Sequence, residues 1–138
     1  MTQIFVDTWA WYALVDVADN DHALAQIANE DLLNAGYTFV TTNFVLAETL
    51  TLMRYAIGHS VAVQFRSMLD QLIETQLVKF IRVDENQENK AWTLFQHFAD
   101  QKFSYVECTS FAVMQHLNIA EVFTADHHFT IMGFTLVP

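Results

Sequence analysis

Ile4-Phe5-Val6-Asp7 sets three apolar residues against a single carboxylate near the start of the chain. A short apolar run bounded by polar residues reads as a buried, parallel strand. In an open α/β sheet the carboxyl end of a strand opens on the crevice where ligands sit, so Asp7 is expected to face that crevice. Working outward, Thr8 is placed to cap a helix over 9–15, which is apolar on all sides and therefore expected to be buried. A polar break over 16–21 precedes a helix over 22–34, with Ala23, Leu24, Ile27, Ala28, Leu32 and Leu33 at helical spacing and Gly36 as its stop.

The same alternation continues to the end of the chain. Residues 37–41 are β-rich and predict a second strand. Thr42 or Asn43 caps a helix over 44–57, whose inward positions are expected to be Phe44, Ala47, Leu50, Met53 and Ile57, and which ends at Gly58. A tight turn leads into a helix over 60–75. Then come a strand at 78–83, a helix over 86–100 with Ala91, Leu94, Phe95 and Phe98 inward, a helix over 104–117, a strand at 121–124, a turn at Gly133 and a strand at 135–137. Strands separated by helical segments predict an α/β fold, a three-layer sandwich with a mostly parallel central sheet of about five strands flanked by helices. With no Gly/Ser/Pro linker and no repeat, residues 1–138 are expected to form a single domain.

Composition narrows the class. A chain of 138 residues that is 53% hydrophobic has the means to bury a core. Its longest unbroken apolar run, residues 9–15, falls far short of the ~20 that cross a bilayer. There is no basic segment ahead of an apolar one at the N-terminus, and Cys108 is the only cysteine. The cytoplasm is therefore the expected location, with no membrane partner and no disulfide framework. The formal charge of −10 opposes non-specific attraction to a phosphate backbone and favours basic partners or metal cations.

Asp7, Glu48, Glu107 and Asp126 stand out because each lies at an element boundary or amid apolar neighbours. Glu48 has Phe44, Val45, Thr51 and Leu52 three and four residues away, a face expected to be largely buried, where an ionised carboxylate is costly unless paired, hydrogen-bonded or bound to metal. Each of the others has a purely structural reading: Asp7 as a helix cap, Asp126 as an Asx turn, and Glu107 as the far end of the capping box Ser104-Tyr105-Val106-Glu107. Against those readings stands the joint pattern, since Asp7 and Asp126 both follow apolar strands and Glu107 lies near the start of a helix that precedes one. The carboxyl ends of parallel strands share one edge of the sheet.

These residues carry a resemblance. Phe5-Val6-Asp7-Thr8, Thr41-Thr42-Asn43 leading to Ala47-Glu48-Thr49, Phe103-Ser104-Tyr105-Val106-Glu107-Cys108, and Phe123-Thr124-Ala125-Asp126-His127-His128-Phe129 with Gly133-Phe134 together resemble the PIN-domain family, and within it the VapC-type toxins of bacterial toxin–antitoxin pairs. The likeness spans essentially the whole chain. It implies a metal-dependent endoribonuclease whose acidic pocket binds Mg²⁺ or Mn²⁺ through Asp7, Glu48, Glu107 and Asp126, with Thr8, Asn43, Ser104 and Thr124 as supporting polar residues. It also implies an RNA substrate, a basic antitoxin protein as partner and a homodimer. One departure is that the third acidic position, usually Asp, is Glu107 here. Asp100 is an additional acid nearby in sequence.

The residue types suit that chemistry, since Mg²⁺ prefers hard oxygen ligands and the chain has neither a Cys cluster nor a His-x-x-x-His pair that would favour zinc. A dehalogenase-type phosphatase would want a second Asp where Trp9 stands, and a receiver domain would want paired acids after the first strand and a late Lys that is absent. A catalytically silent PIN-like binding module is the remaining alternative. Of His127 and His128, adjacent in sequence, at least one is expected at the surface; His22, His59, His97 and His116 are expected to be solvated. Cys108 and the Trp9, Trp11, Tyr12 group are expected in the core.

Overall fold

The computed structural model describes residues 2–138. Its elements run β1 (Gln3–Val6), α1 (Thr8–Val15), α2 (His22–Asn34), β2 (Thr38–Thr42), α3 (Asn43–Ala56), α4 (His59–Glu74), β3 (Val78–Ile81), α5 (Glu85–His97), α6 (Tyr105–Leu117), β4 (Glu121–Phe123), α7 (His128–Ile131) and β5 (Thr135–Val137). The five strands form one sheet in the order β3-β2-β1-β4-β5, and every pair is parallel. The expected α/β architecture is thus present, with helices covering the sheet.

Ile4, Phe5 and Val6 have no exposed surface, as the central strand of a sheet covered on both faces requires. Two strands lie on either side of β1. The chain steps outward from β1 through β2 to β3, then crosses back to β4 and steps outward again to β5. Right-handed crossovers in opposite directions put the connecting helices α1–α4 on one face and α5–α7 on the other. The direction reverses between β1 and β4, so the crevice at their carboxyl ends is the topological switch point where α/β sheets bind ligands.

The core is aromatic at its centre. Phe123 meets Phe39 and Trp9 edge to face, Trp11 meets Phe65, and Phe111 packs against Phe103 and Phe129. Trp11 and Cys108 are buried, and Trp9 and Tyr12 are half-buried, their polar ends tied to Asp21 and Asp16. The Trp9-Trp11-Tyr12 group therefore belongs to the core, as expected.

Several faces are phased differently from the sequence expectation. Helix α3 buries Val45, Leu46, Thr49 and Met53, while Ala47 is exposed and Phe44, Leu50 and Ile57 are only partly covered. In α2 the buried residues are Ala25, Ala28 and Leu32, and Leu24 and Ile27 face outward; in α5 Ala91 is inward and Phe95 is exposed. These helices carry apolar residues on more than one side, so periodicity alone admits two phases. A short helix, α7, lies between β4 and the turn at Gly133, where the sequence reading places no element. His22, expected to be solvated, is half-buried with its Nδ1 2.7 Å from the Ala13 carbonyl oxygen.

Candidate active site

Asp7 sits at the N-cap position of α1, and its side chain makes no capping hydrogen bond. The capping reading for Asp7 therefore fails, and so does the one for Thr8, which is the first helical residue. The Thr8 hydroxyl instead accepts a bond of 3.1 Å from Thr49, tying α1 to α3. Asp7 is only 7% exposed. Its carboxylate accepts 3.1 Å from the Thr124 hydroxyl beyond β4. Burial, with added repulsion from Glu48 and Glu107, lifts its pKa from 3.8 to about 7, against the opposing pull of the Thr8 N–H and the Thr124 hydroxyl.

Thr124 links two of the acids. Besides donating to Asp7, its Oγ1 accepts from the Asp126 backbone N–H at 3.2 Å. A fully buried hydroxyl thus joins the ends of β1 and β4, across the switch point. Asp126 does form the Asx turn, its Oδ1 accepting 2.9 Å from the His128 N–H. The turn does not exhaust it, because Asp126 also lies beside Glu107.

Glu107 likewise fulfils both readings. The capping box is formed: Ser104 Oγ accepts from Glu107 N–H at 3.0 Å, and Glu107 Oε1 accepts from Ser104 N–H at 2.8 Å. The second oxygen, Oε2, lies 2.9 Å from His128 Nδ1. Burial and the neighbouring Asp126 carboxyl raise the Glu107 pKa. Glu107, Asp126 and His128 each present a ligand atom within 4.8 Å of the others. His128 was not among the site residues expected from sequence. Its place in the pair His127-His128 concealed it, and the structure separates the two, His127 exposed and His128 turned inward.

Glu48 corrects an expectation. Thr51 and Leu52 are exposed rather than buried, and Glu48 is half-exposed on the wall of a groove of about 700 Å³ lined also by Asn43, Phe44, Tyr55 and Val106. The ends of α3 and α6 meet there through Phe44 and Tyr105. Glu48 nonetheless lies close enough to add to the charge felt by Asp7. Asn43 holds the edge of the site by accepting 2.8 Å from the Val83 N–H, and Thr42, not Asn43, caps α3. Asp100 is exposed and lies outside the Glu107, Asp126 and His128 group.

No Lys or Arg among the described residues lies within 4.0 Å of any of the four carboxylates. Glu107 and Asp126 lie side by side with His128, the buried Asp7 feels the charge of Glu48 and Glu107, and no Lys or Arg offsets them; such a set of hard oxygens suits a divalent cation.

The family model for the PIN domain matches residues 4–134. The chain belongs to the PIN-domain family. This PIN domain is 31% identical over 134 residues to a 23S rRNA-specific endonuclease, VapC20, of Mycobacterium tuberculosis, and the match covers 97% of each chain. The crystal structure of that VapC20, described as a sarcin-ricin loop cleaving toxin, superposes with a TM-score of 0.81 over 96% of both chains. VapBC2 from Rickettsia felis, solved with a DNA fragment from its promoter, shares the fold at a TM-score of 0.66 and 16% identity, covering 98% of this chain and 97% of that one. The sequence expectation of a VapC-type PIN ribonuclease agrees with these relatives.

Proposed function

We propose that this PIN domain hydrolyses RNA phosphodiester bonds with Mg²⁺ or Mn²⁺ held by Asp7, Glu48, Glu107 and Asp126, and that it is the toxin of a toxin–antitoxin pair. The observation that carries the reading is the cluster itself: carboxylates gathered at the β1/β4 switch point with no Lys or Arg to neutralise them. A divalent cation bound there would polarise the scissile phosphate and lower the pKa of bound water.

The chain's own part is to hold that arrangement. Thr124 pins Asp7 and orients the Asp126 turn, Ser104 pins one oxygen of Glu107, and Thr8 and Asn43 tie α1, α3 and the loop after β3 around the pocket. No side chain need serve as nucleophile. The groove beside Glu48 offers a path for substrate into the pocket. The net charge of −10 leaves few residues to attract RNA; Arg54, His59 and Arg66 line one groove between α3 and α4. A relative named for 23S rRNA makes ribosomal RNA the first substrate to try.

The partners follow from the same features. An acidic chain suits a basic antitoxin whose Lys or Arg enters the carboxylate pocket and supplies the missing positive charge. Tyr55, 83% exposed, and Leu52 beside it on the same groove of α3 offer apolar surface for a homodimer.

The test is cleavage of ribosomal RNA by purified protein with Mn²⁺ or Mg²⁺. EDTA is expected to stop it and Asp7→Asn to remove most of it. Cleavage that survives both treatments would overturn the proposal, and absence of any cleavage or metal binding would leave a silent binding module.

A further inference from the structure

The chain's acidic cluster contains a glutamate, Glu107, beside the shorter side chain of Asp126. A glutamate has one more rotatable bond, and a carboxylate that must meet a metal loses affinity with each orientation it samples. In this structure both Glu107 oxygens are already engaged. Oε1 accepts 2.8 Å from the Ser104 N–H, and Oε2 lies 2.9 Å from His128 Nδ1. The His128 ring is itself over-determined. Its backbone N–H donates to Asp126 Oδ1 at 2.9 Å, its ring meets Phe103 edge-on with centroids 5.3 Å apart, and its side chain is 21% exposed.

We propose that His128 is a positioning residue: its Nδ1–H donates to Glu107 Oε2 and, with Ser104 on the other oxygen, fixes the longer carboxylate at the orientation in which it binds metal. The inference rests on the metal-dependent reading above. It assigns to His128 a tautomer, with the proton on Nδ1, and a partner, Glu107. Asp126 Oδ1 is the more distant neighbour of that nitrogen, at 3.6 Å. His127, exposed beside it, has no such role. Outer-shell partners of this kind are worth about 10–100-fold in metal affinity.

Two substitutions separate the hydrogen bond from the packing. His128→Phe keeps a ring against Phe103 and removes the donor, while His128→Asn places an amide N–H near the position of Nδ1. Mn²⁺ affinity is read by calorimetry and by the EPR signal of free Mn²⁺, so the readout is independent of RNA cleavage. His128→Phe is expected to weaken Mn²⁺ binding at least 10-fold and His128→Asn to stay within about threefold of wild type. In a Glu107→Gln background, the further change of His128 to Phe is expected to matter less than twofold, because the carboxylate it positions is gone.

Equal affinity of wild type and His128→Phe, no rescue by Asn, or an undiminished effect in the Glu107→Gln background would each overturn the proposal and leave the nuclease reading standing. Pulsed EPR of Mn²⁺-loaded wild type needs no variant and guards against a Phe variant that fails to fold. An imidazole nitrogen coupling in that spectrum would make a histidine a direct ligand and overturn the positioning role, and its absence supports it. Failure of wild type to bind Mn²⁺ at all would bring down the nuclease reading and this one together.

Discussion

Replacing Asp7 with Asn in the metal-free protein is expected to change stability in a way that depends on pH. The Asp7 carboxyl is buried, and its pKa rises from 3.8 to about 7 on folding, with desolvation as the largest cause. A raised carboxyl pKa means that the fold prefers the protonated form. Ionisation therefore costs nothing below pH 4 and costs most above pH 7. With 1.36 kcal/mol per pKa unit, the penalty is about 4 kcal/mol at pH 8, about 2 kcal/mol at pH 5, and nearly gone by pH 4. Asn cannot ionise, so Asp7→Asn removes the whole pH-dependent part. It still accepts from Thr124, and burying its amide donors adds a cost independent of pH, about 1–3 kcal/mol. The difference in unfolding free energy between variant and wild type should thus change by about 4 kcal/mol between pH 4 and pH 8, whatever its constant offset. Urea unfolding in EDTA at a series of pH values measures it. Two stability curves that run parallel from pH 5 to pH 8 would refute the reasoning, since Asp7 would then titrate normally in the fold. Saturating Mn²⁺ at pH 8 should restore stability to wild type, about 2.7 kcal/mol at 100 times its Kd, and restore less to the variant.

Other consequences are more local. Thr124→Val keeps the shape of a fully buried side chain but breaks its bonds to Asp7 and Asp126; Mn²⁺ affinity measured by calorimetry should fall about 10–100-fold. Ser104→Ala removes the hydroxyl half of the capping box and should lower unfolding free energy by about 1 kcal/mol in urea melts. The Cys108 thiol, pushed up to about 11 by burial and by the charge of Glu107, should resist alkylation at pH 8 in the native protein and react on unfolding. A complex with a basic partner should weaken as salt rises, as read by the salt dependence of its Kd; copurification with an acidic partner alone would count against the pocket-blocking model.

The succession of elements, and the places where acids meet them, can be read from the residues alone. Ile4-Phe5-Val6 reads as a buried strand because it is a short run of β-branched and aromatic residues bounded by polar ones, and Asp7 follows it directly. Ser104 and Glu107 announce a helix start because the capping box is local chemistry, complete within four residues. The convergence of those acids depends on how the chain folds back on itself. The sheet order β3-β2-β1-β4-β5 brings residue 7 beside residue 124 across 117 positions, and parallel pairing at that separation leaves no local trace. Helix α3 has apolar residues around most of its circumference, so only packing on α1 and the sheet selects Val45, Thr49 and Met53 as its inner line and leaves Glu48 on the groove wall. The two histidines after Asp126 are indistinguishable in sequence; the turn that starts α7 directs one ring to solvent and the other to Glu107.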